Sequence, residues 1–216
     1  MSLSQAKFNM INQQIKVCNV TDQTLLSLLN KVDRDMFSLQ GKRYLSFYDL
    51  ESPLPGGQTT LTPRVESLML QNLNLDKKNK VLEIGTGSGY ITAILANMAD
   101  YVYSVECNKV NKEFAVNNLI KCGISNAHVT LSDGILGLPE RAPFDRIFVG
   151  GALLNIPDDL KLQLKVGGKL VGIVGKKPIL SVVVIEHITK NKFITKKIFE
   201  TDSEYLIGSK TKEFIF

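Results

Sequence analysis

The spacing of apolar positions divides the chain into two regimes. From Ser4 to Lys31 they recur at helical intervals, as in Leu25, Leu28, Leu29 and Val32, with Thr21 or Asp22 as the cap, which predicts two short helices. Between Gly41 and Pro63 the period is lost in a stretch containing Pro53-Leu54-Pro55-Gly56-Gly57, which reads as a shaped loop. Thr62 then offers an N-cap hydroxyl and Pro63 a first-turn residue of fixed φ. The helix they open carries Val65, Leu68, Met69 and Leu73 as its stripe and ends near Asn74.

From Lys80 onward, short apolar runs alternate with helical segments. The runs at 81–84, 101–105, 127–131, 146–149 and 169–174 are expected as buried parallel strands. Helices are expected at 90–98, at 108–121 with Gly123 as the stop, and at 157–164, on both faces of the sheet through right-handed crossovers. Segments 181–188 and 193–199 read as an antiparallel hairpin closing the sheet's edge. The predicted fold is a doubly wound, mostly parallel α/β sheet in one domain over residues 1–216. Helices and a loop lead to residue 75, a core spans 76–178, and the hairpin and tail occupy 179–216.

Composition narrows the function classes. With 216 residues, 44% hydrophobic and 22% charged, the chain can bury a sizeable core, which excludes disorder, collagen and coiled coil. Its longest apolar stretches fall well short of the ~20 residues that cross a bilayer. The amino terminus has no basic region followed by an apolar block, so a cytoplasmic location is expected. Cys18, Cys107 and Cys122 are scattered and odd in number and read as reduced thiols; His128 and His187 are isolated in apolar runs and read as structural, so no metal is expected. The net charge of +5 is dispersed, without a run of five like charges, so neither nucleic acid nor membrane is the expected partner.

The candidate chemistry lies where the first strand, ending Glu83-Ile84, runs into Gly85-Thr86-Gly87-Ser88-Gly89-Tyr90. An open α/β sheet binds its ligand at such a place, with glycines allowing close backbone approach. Glycines alone are equally compatible with a tight turn that binds nothing. A dinucleotide fingerprint needs a third glycine three residues after the second, and Tyr90 occupies that position. The pattern is instead G-x-G-x-G, with Glu83 two positions before it. Glu106 ends the second strand, where a carboxylate can accept hydrogen bonds from both ribose hydroxyls, and Ser132-Asp133-Gly134 ends the third.

These stretches, together with 143–152 and 164–171, resemble the motifs of class I S-adenosylmethionine-dependent methyltransferases. Residues 81–90, Ala142-Pro143-Phe144-Asp145, and Ile156-Pro157 followed by Leu160 and Gln163-Leu164 further resemble the protein-L-isoaspartate (D-aspartate) O-methyltransferase family. The resemblance implies a Rossmann-like sheet and S-adenosyl-L-methionine as cofactor. Its contacts would be Glu83, Gly85, Thr86, Gly87, Ser88, Gly89, Glu106, Asp133 and Gly134. The implied substrates are isoaspartyl-containing peptides or proteins, methylated on carboxyl oxygen as a repair reaction. A carboxylate nucleophile is already ionised at neutral pH, so no general base is required.

One position departs from the family. Gly57-Gln58-Thr59-Thr60-Leu61-Thr62-Pro63 aligns with the family's substrate loop Gly-Gln-Thr-Ile-Ser-x-Pro, so Leu61 replaces the serine whose hydroxyl lies beside the transferring methyl. Leucine donates no hydrogen bond. Thr59 and Thr60 become the candidate catalytic hydroxyls, with Gln58 and Leu61 as further loop residues. A methyltransferase with another acceptor and a non-catalytic S-adenosylmethionine-binding homologue stay open as alternatives, as does the oligomeric state.

Overall fold

The computed structural model describes residues 2–209; the tail Glu213-Phe214-Ile215-Phe216 lies outside the described residues. Helix α1 (Leu3–Asn9), capped by Ser2, continues through a wide-turned stretch and a tight turn that ends at Asn19. Helix α2 (Gln23–Lys31) starts at Asp22, whose carboxylate accepts from the N–H groups of Thr24 and Leu25. Helix α3 (Pro63–Leu73) opens as the sequence predicts, with Pro63 in its first turn and Thr62 Oγ1 accepting from the Val65 N–H.

The remaining elements are β1 (Lys80–Ile84), α4 (Tyr90–Met98), β2 (Tyr101–Glu106), α5 (Lys109–Lys121), β3 (Ala127–Leu131), β4 (Phe144–Leu153), α6 (Asp158–Lys161), β5 (Leu164–Lys176), β6 (Ile179–Thr189) and β7 (Lys192–Thr201). They form one seven-stranded sheet in the order β3-β2-β1-β4-β5-β6-β7. The strands from β3 to β5 run parallel; β6 and β7 are antiparallel additions. Successive residues of each central strand point to opposite faces, so Val81 and Phe148 join a core with α2, α3 and α4 on one side. Leu82 and Ile147 join a second core with Leu160 and Leu164 on the other.

Two expectations are corrected and one is extended. The helix expected at 157–164 is only the four residues of α6, because β5 begins at Leu164 and takes up the rest. Strand β3 is not buried along its length: it pairs only with β2, and His128 and Leu131 are exposed. The hairpin at the sheet's edge is present, but a second antiparallel pairing, β5 with β6, precedes it. His187 is packed as a structural residue, its Nδ1 2.8 Å from the Leu164 carbonyl oxygen and its ring stacked on Phe193. The three cysteines are free thiols. Among the described residues, no helix is long and apolar enough to cross a membrane and no cluster of ligating side chains could hold a metal.

Candidate functional site

Strand order reverses between β1 and β4, and the loops leaving the C-terminal ends of the parallel strands diverge there to leave a crevice. The turn after β1 fills its floor. Gly85, Gly87 and Gly89 all have positive φ, between 57° and 85°. Val105 O accepts from the N–H groups of both Gly85 and Thr86, which ties the turn to the end of β2. Gly89 does a different job. A Cβ there would lie 3.3 Å from Ala115, so its bareness lets α4 pack against α5, and it does not line the crevice.

Glu106 stands at the end of β2 with 6% of its surface exposed. Its Oε2 accepts from the Gly87 N–H and its Oε1 from the Asn108 N–H, both at 2.9 Å. Oε1 also accepts from the Cys107 thiol, Sγ at 3.9 Å, and with about two lone-pair sites per carboxylate oxygen, Oε2 keeps one free for a ligand. The crevice is a cavity of about 320 Å³ that Glu106 shares with residues 85–88, with Asp133 and Gly134, and with the loop at 57–61. Asp133 sits at the exposed rim, its Oδ1 accepting from the Ile135 N–H. The predicted turn, ribose-type acid and rim acid thus converge on one space.

The loop at 52–60 folds back on itself as a small hairpin. Thr60 N–H donates to Ser52 O, Leu54 N–H to Gln58 O, and Gly57 N–H to Leu54 O. Two asparagines at the start of α5 fasten it. Asn111 Oδ1 accepts from the Gly56 N–H at 2.9 Å, Asn108 Nδ2 donates to Gly56 O, and both amides donate to Gln58 Oε1. Thr59 and Thr60 line the cavity, but their hydroxyl protons are committed elsewhere. Thr59 Oγ1 donates to Glu51 Oε2 at 2.7 Å, and Thr60 Oγ1 donates to Leu61 O at 3.0 Å. Leu61 is a buried part of the wall.

Glu83 does not line the cavity, contrary to the direct contact expected of it. It is fully buried, and its Oε2 accepts from Thr92 Oγ1 and Ser104 Oγ, each at 2.6 Å. Because Ser104 gives its proton to Glu83, it must accept from Thr86 Oγ1, 2.5 Å away. A relay therefore runs from Glu83 to the glycine turn. Burial pushes the Glu83 carboxyl up to about 8, against the pull of Ser104 and Thr92, so it is neutral at pH 7.

Two functional elements escaped the sequence reading. Arg34, nearly buried, donates to Glu66 Oε2 at 2.5 Å, to Ser46 O, to Leu61 O and to Thr60 Oγ1, and lies 4.9 Å from the Tyr90 ring centre. Glu66 lines the cavity. The second element is residues 203–207, which form the far wall. Ala152 N–H donates to Glu204 O and Leu206 N–H to Ala152 O. A Cβ on Gly151 would sit 2.8 Å from Leu206, so the Gly150-Gly151 pair at the end of β4 was the available signal.

The family model for protein-L-isoaspartate (D-aspartate) O-methyltransferase matches residues 5–205. The chain belongs to the protein-L-isoaspartate (D-aspartate) O-methyltransferase family. Its relatives include the protein-L-isoaspartate O-methyltransferase of Dictyoglomus thermophilum, 45% identical over 152 residues, covering 70% of this chain and 69% of that one. Protein-L-isoaspartate O-methyltransferase 2 of Pelobacter propionicus is 39% identical over 171 residues, 79% of this chain and 76% of that one. A Plasmodium falciparum chain described as a protein-L-isoaspartate O-methyltransferase in complex with S-adenosyl-L-homocysteine superimposes with a TM-score of 0.80, covering 95% of this chain and 98% of that one. At 21% identity this last likeness concerns the fold. The matched residues include the glycine turn, Glu106, the 52–60 loop and the Arg34–Glu66 pair.

Proposed function

We propose that the chain transfers the methyl group of S-adenosyl-L-methionine to the free carboxylate of L-isoaspartyl (D-aspartyl) residues in peptides and proteins. The observation that carries this reading is the single cavity joining the glycine turn and Glu106 to the 57–61 loop, in a chain matched by this family's model from residue 5 to residue 205.

The cavity suits the cofactor. Residues 85–88 bring bare backbone to its surface, and Glu106 keeps a lone pair on Oε2 for a ribose hydroxyl. Asp133 at the rim would meet the purine end. When bound, S-adenosyl-L-methionine supplies a methyl group on a sulfonium, ready for displacement. The chain aligns and shields. Leu54, Leu61, Ile84 and Val105 give the cavity an apolar lining that keeps water from solvating the nucleophile. Gln58, Thr59 and Thr60 form its acceptor end. A carboxylate acceptor arrives ionised, so the absence of histidine from the lining is no obstacle. Cys107 also borders the cavity, but burial and the neighbouring Glu106 push its thiol up, keeping it protonated at neutral pH.

The test is incubation with S-adenosyl-L-methionine and a peptide made in isoaspartyl and aspartyl forms. The isoaspartyl form alone should gain the mass of one methylene as a base-labile ester. A base-stable product, or no product from a preparation that binds S-adenosyl-L-homocysteine, contradicts the reading.

A further inference from the structure

The acceptor end of the cavity is short of hydroxyl donors. The Thr59 and Thr60 hydroxyl protons are spent on Glu51 and on the Leu61 carbonyl, and Leu61 has none to give. Gln58 turns its amide oxygen toward Asn108 and Asn111. Besides Gln58, whose Nε2 keeps its N–H groups, the polar side chain in this part of the wall is Glu66, in the first turn of α3, with only 3% of its surface exposed. One of its oxygens, Oε2, is held by Arg34; the other, Oε1, has no hydrogen-bond partner among the described residues. Arg34 also grips the carbonyl oxygens of Ser46 and Leu61 and the Thr60 hydroxyl, so one guanidinium fixes both Glu66 and the substrate loop. A buried carboxyl clamped at one oxygen and open at the other, on the wall of a binding cavity, is built to meet a ligand.

We propose that Glu66 is a substrate-recognition residue: held through Oε2 by Arg34, it donates a hydrogen bond from Oε1 to the carboxylate that accepts the methyl group. This rests on the isoaspartyl reading above and supplies the donor that Leu61 lacks. The proton stays on Glu66 throughout, since esterification displaces nothing but the cofactor's sulfur. The surroundings keep the neutral acid well populated up to neutral pH. Burial raises the Glu66 carboxyl to about 7 against the pull of Arg34, and Asp49 raises it further. The other charged or titratable groups facing it are Glu83 on β1 and Tyr90 on α4. An arriving carboxylate adds negative charge and strengthens the preference for the protonated form.

The experiment compares wild type, Glu66→Gln and Glu66→Leu with a blocked isoaspartyl peptide between about pH 6 and about pH 8.5, measuring S-adenosyl-L-homocysteine affinity and Tm alongside. Wild-type KM for the peptide should climb as pH passes about 7, approaching tenfold per pH unit once Glu66 ionises. Glu66→Gln, whose amide keeps an N–H on the cavity side and a carbonyl for Arg34, should give a KM that no longer varies with pH. Glu66→Leu should raise KM about tenfold or more at pH 6, the loss of one hydrogen bond to a charged group, with cofactor affinity little changed. A purely structural Glu66 would lower Tm in both variants and leave the pH profile of KM as in wild type, which overturns the inference. A pH-independent wild-type KM overturns it also, while the isoaspartyl reading stands. A wild type that transfers no methyl to the peptide at any pH overturns the isoaspartyl reading, and the inference falls with it.

Discussion

Glu106 accepts the Gly87 N–H at 2.9 Å, so the residue proposed to bind ribose hydroxyls also sets the curvature of the glycine turn beside it. The same carboxylate accepts the Asn108 N–H ahead of α5. Glu106→Ala removes a nearly buried charged acceptor and should weaken S-adenosyl-L-homocysteine by about 1–3 kcal/mol, roughly 10- to 100-fold in calorimetry. An unchanged affinity removes Glu106 from the site.

The clip between α5 and the 52–60 loop predicts a separable effect on the acceptor. Asn111→Ala loses the bond to the Gly56 N–H and the bond to Gln58, each worth about 0.5–1.5 kcal/mol. Amide exchange at Gly56 and its neighbours should quicken by roughly tenfold or more, and peptide KM should rise more than cofactor Kd. Gly56→Ala should act in the same direction, since its Cβ would lie 2.5 Å from Asn108 Nδ2. Unaltered exchange in either variant contradicts the clip.

Glu83 gives a prediction with a definite sign in pH. Its carboxyl rises from an ordinary 4.5 to about 8 on folding, so between those values the folded chain holds a proton that the unfolded chain has released. Stability attributable to this residue therefore falls as pH rises through that window. Glu83→Gln keeps an acceptor for Thr92 and Ser104 without a charge to desolvate, and its Tm should decline less than wild type between about pH 6 and about pH 8. Glu83→Leu strands both hydroxyls and loosens the relay to Thr86, so it should lose stability and cofactor affinity together. Parallel Tm profiles for wild type and Glu83→Gln contradict a neutral buried acid.

What the sequence made legible was whatever has a local signature. The glycine turn, the order of strands and helices apart from the shortened α6, and the Thr62-Pro63 start of α3 are written in adjacent residues. Glu83 was misassigned because its position before the turn does not reveal its direction: the side chain points beneath the turn, to partners on α4 and β2. Arg34 and Glu66 lie 32 positions apart, and a buried side-chain contact leaves no periodicity in either segment. The wall at 203–207 depends on where β7 delivers the chain, which the hairpin's pattern does not encode.

Arg34 should prove indispensable to the architecture of the acceptor end. Arg34→Met leaves Glu66 without its partner and the Ser46 carbonyl without its side-chain donor, while the Leu61 carbonyl keeps only the Thr60 hydroxyl. Leaving a buried acceptor without its donor costs about 1–3 kcal/mol for each group, which denaturant unfolding would register. A loss below about 1 kcal/mol would place the pair among weak surface bridges.

The central claim is that this cavity brings a sulfonium methyl to an isoaspartyl carboxylate, and the most direct measurement is the ratio of kcat/KM for isoaspartyl and aspartyl forms of one peptide, read as base-released labelled methanol. The account predicts turnover of the isoaspartyl form and a ratio of at least about 100, equivalent to about 2.7 kcal/mol of discrimination at the transition state. Equal rates on the two forms, or label transferred to neither by a preparation that binds S-adenosyl-L-homocysteine, would contradict it.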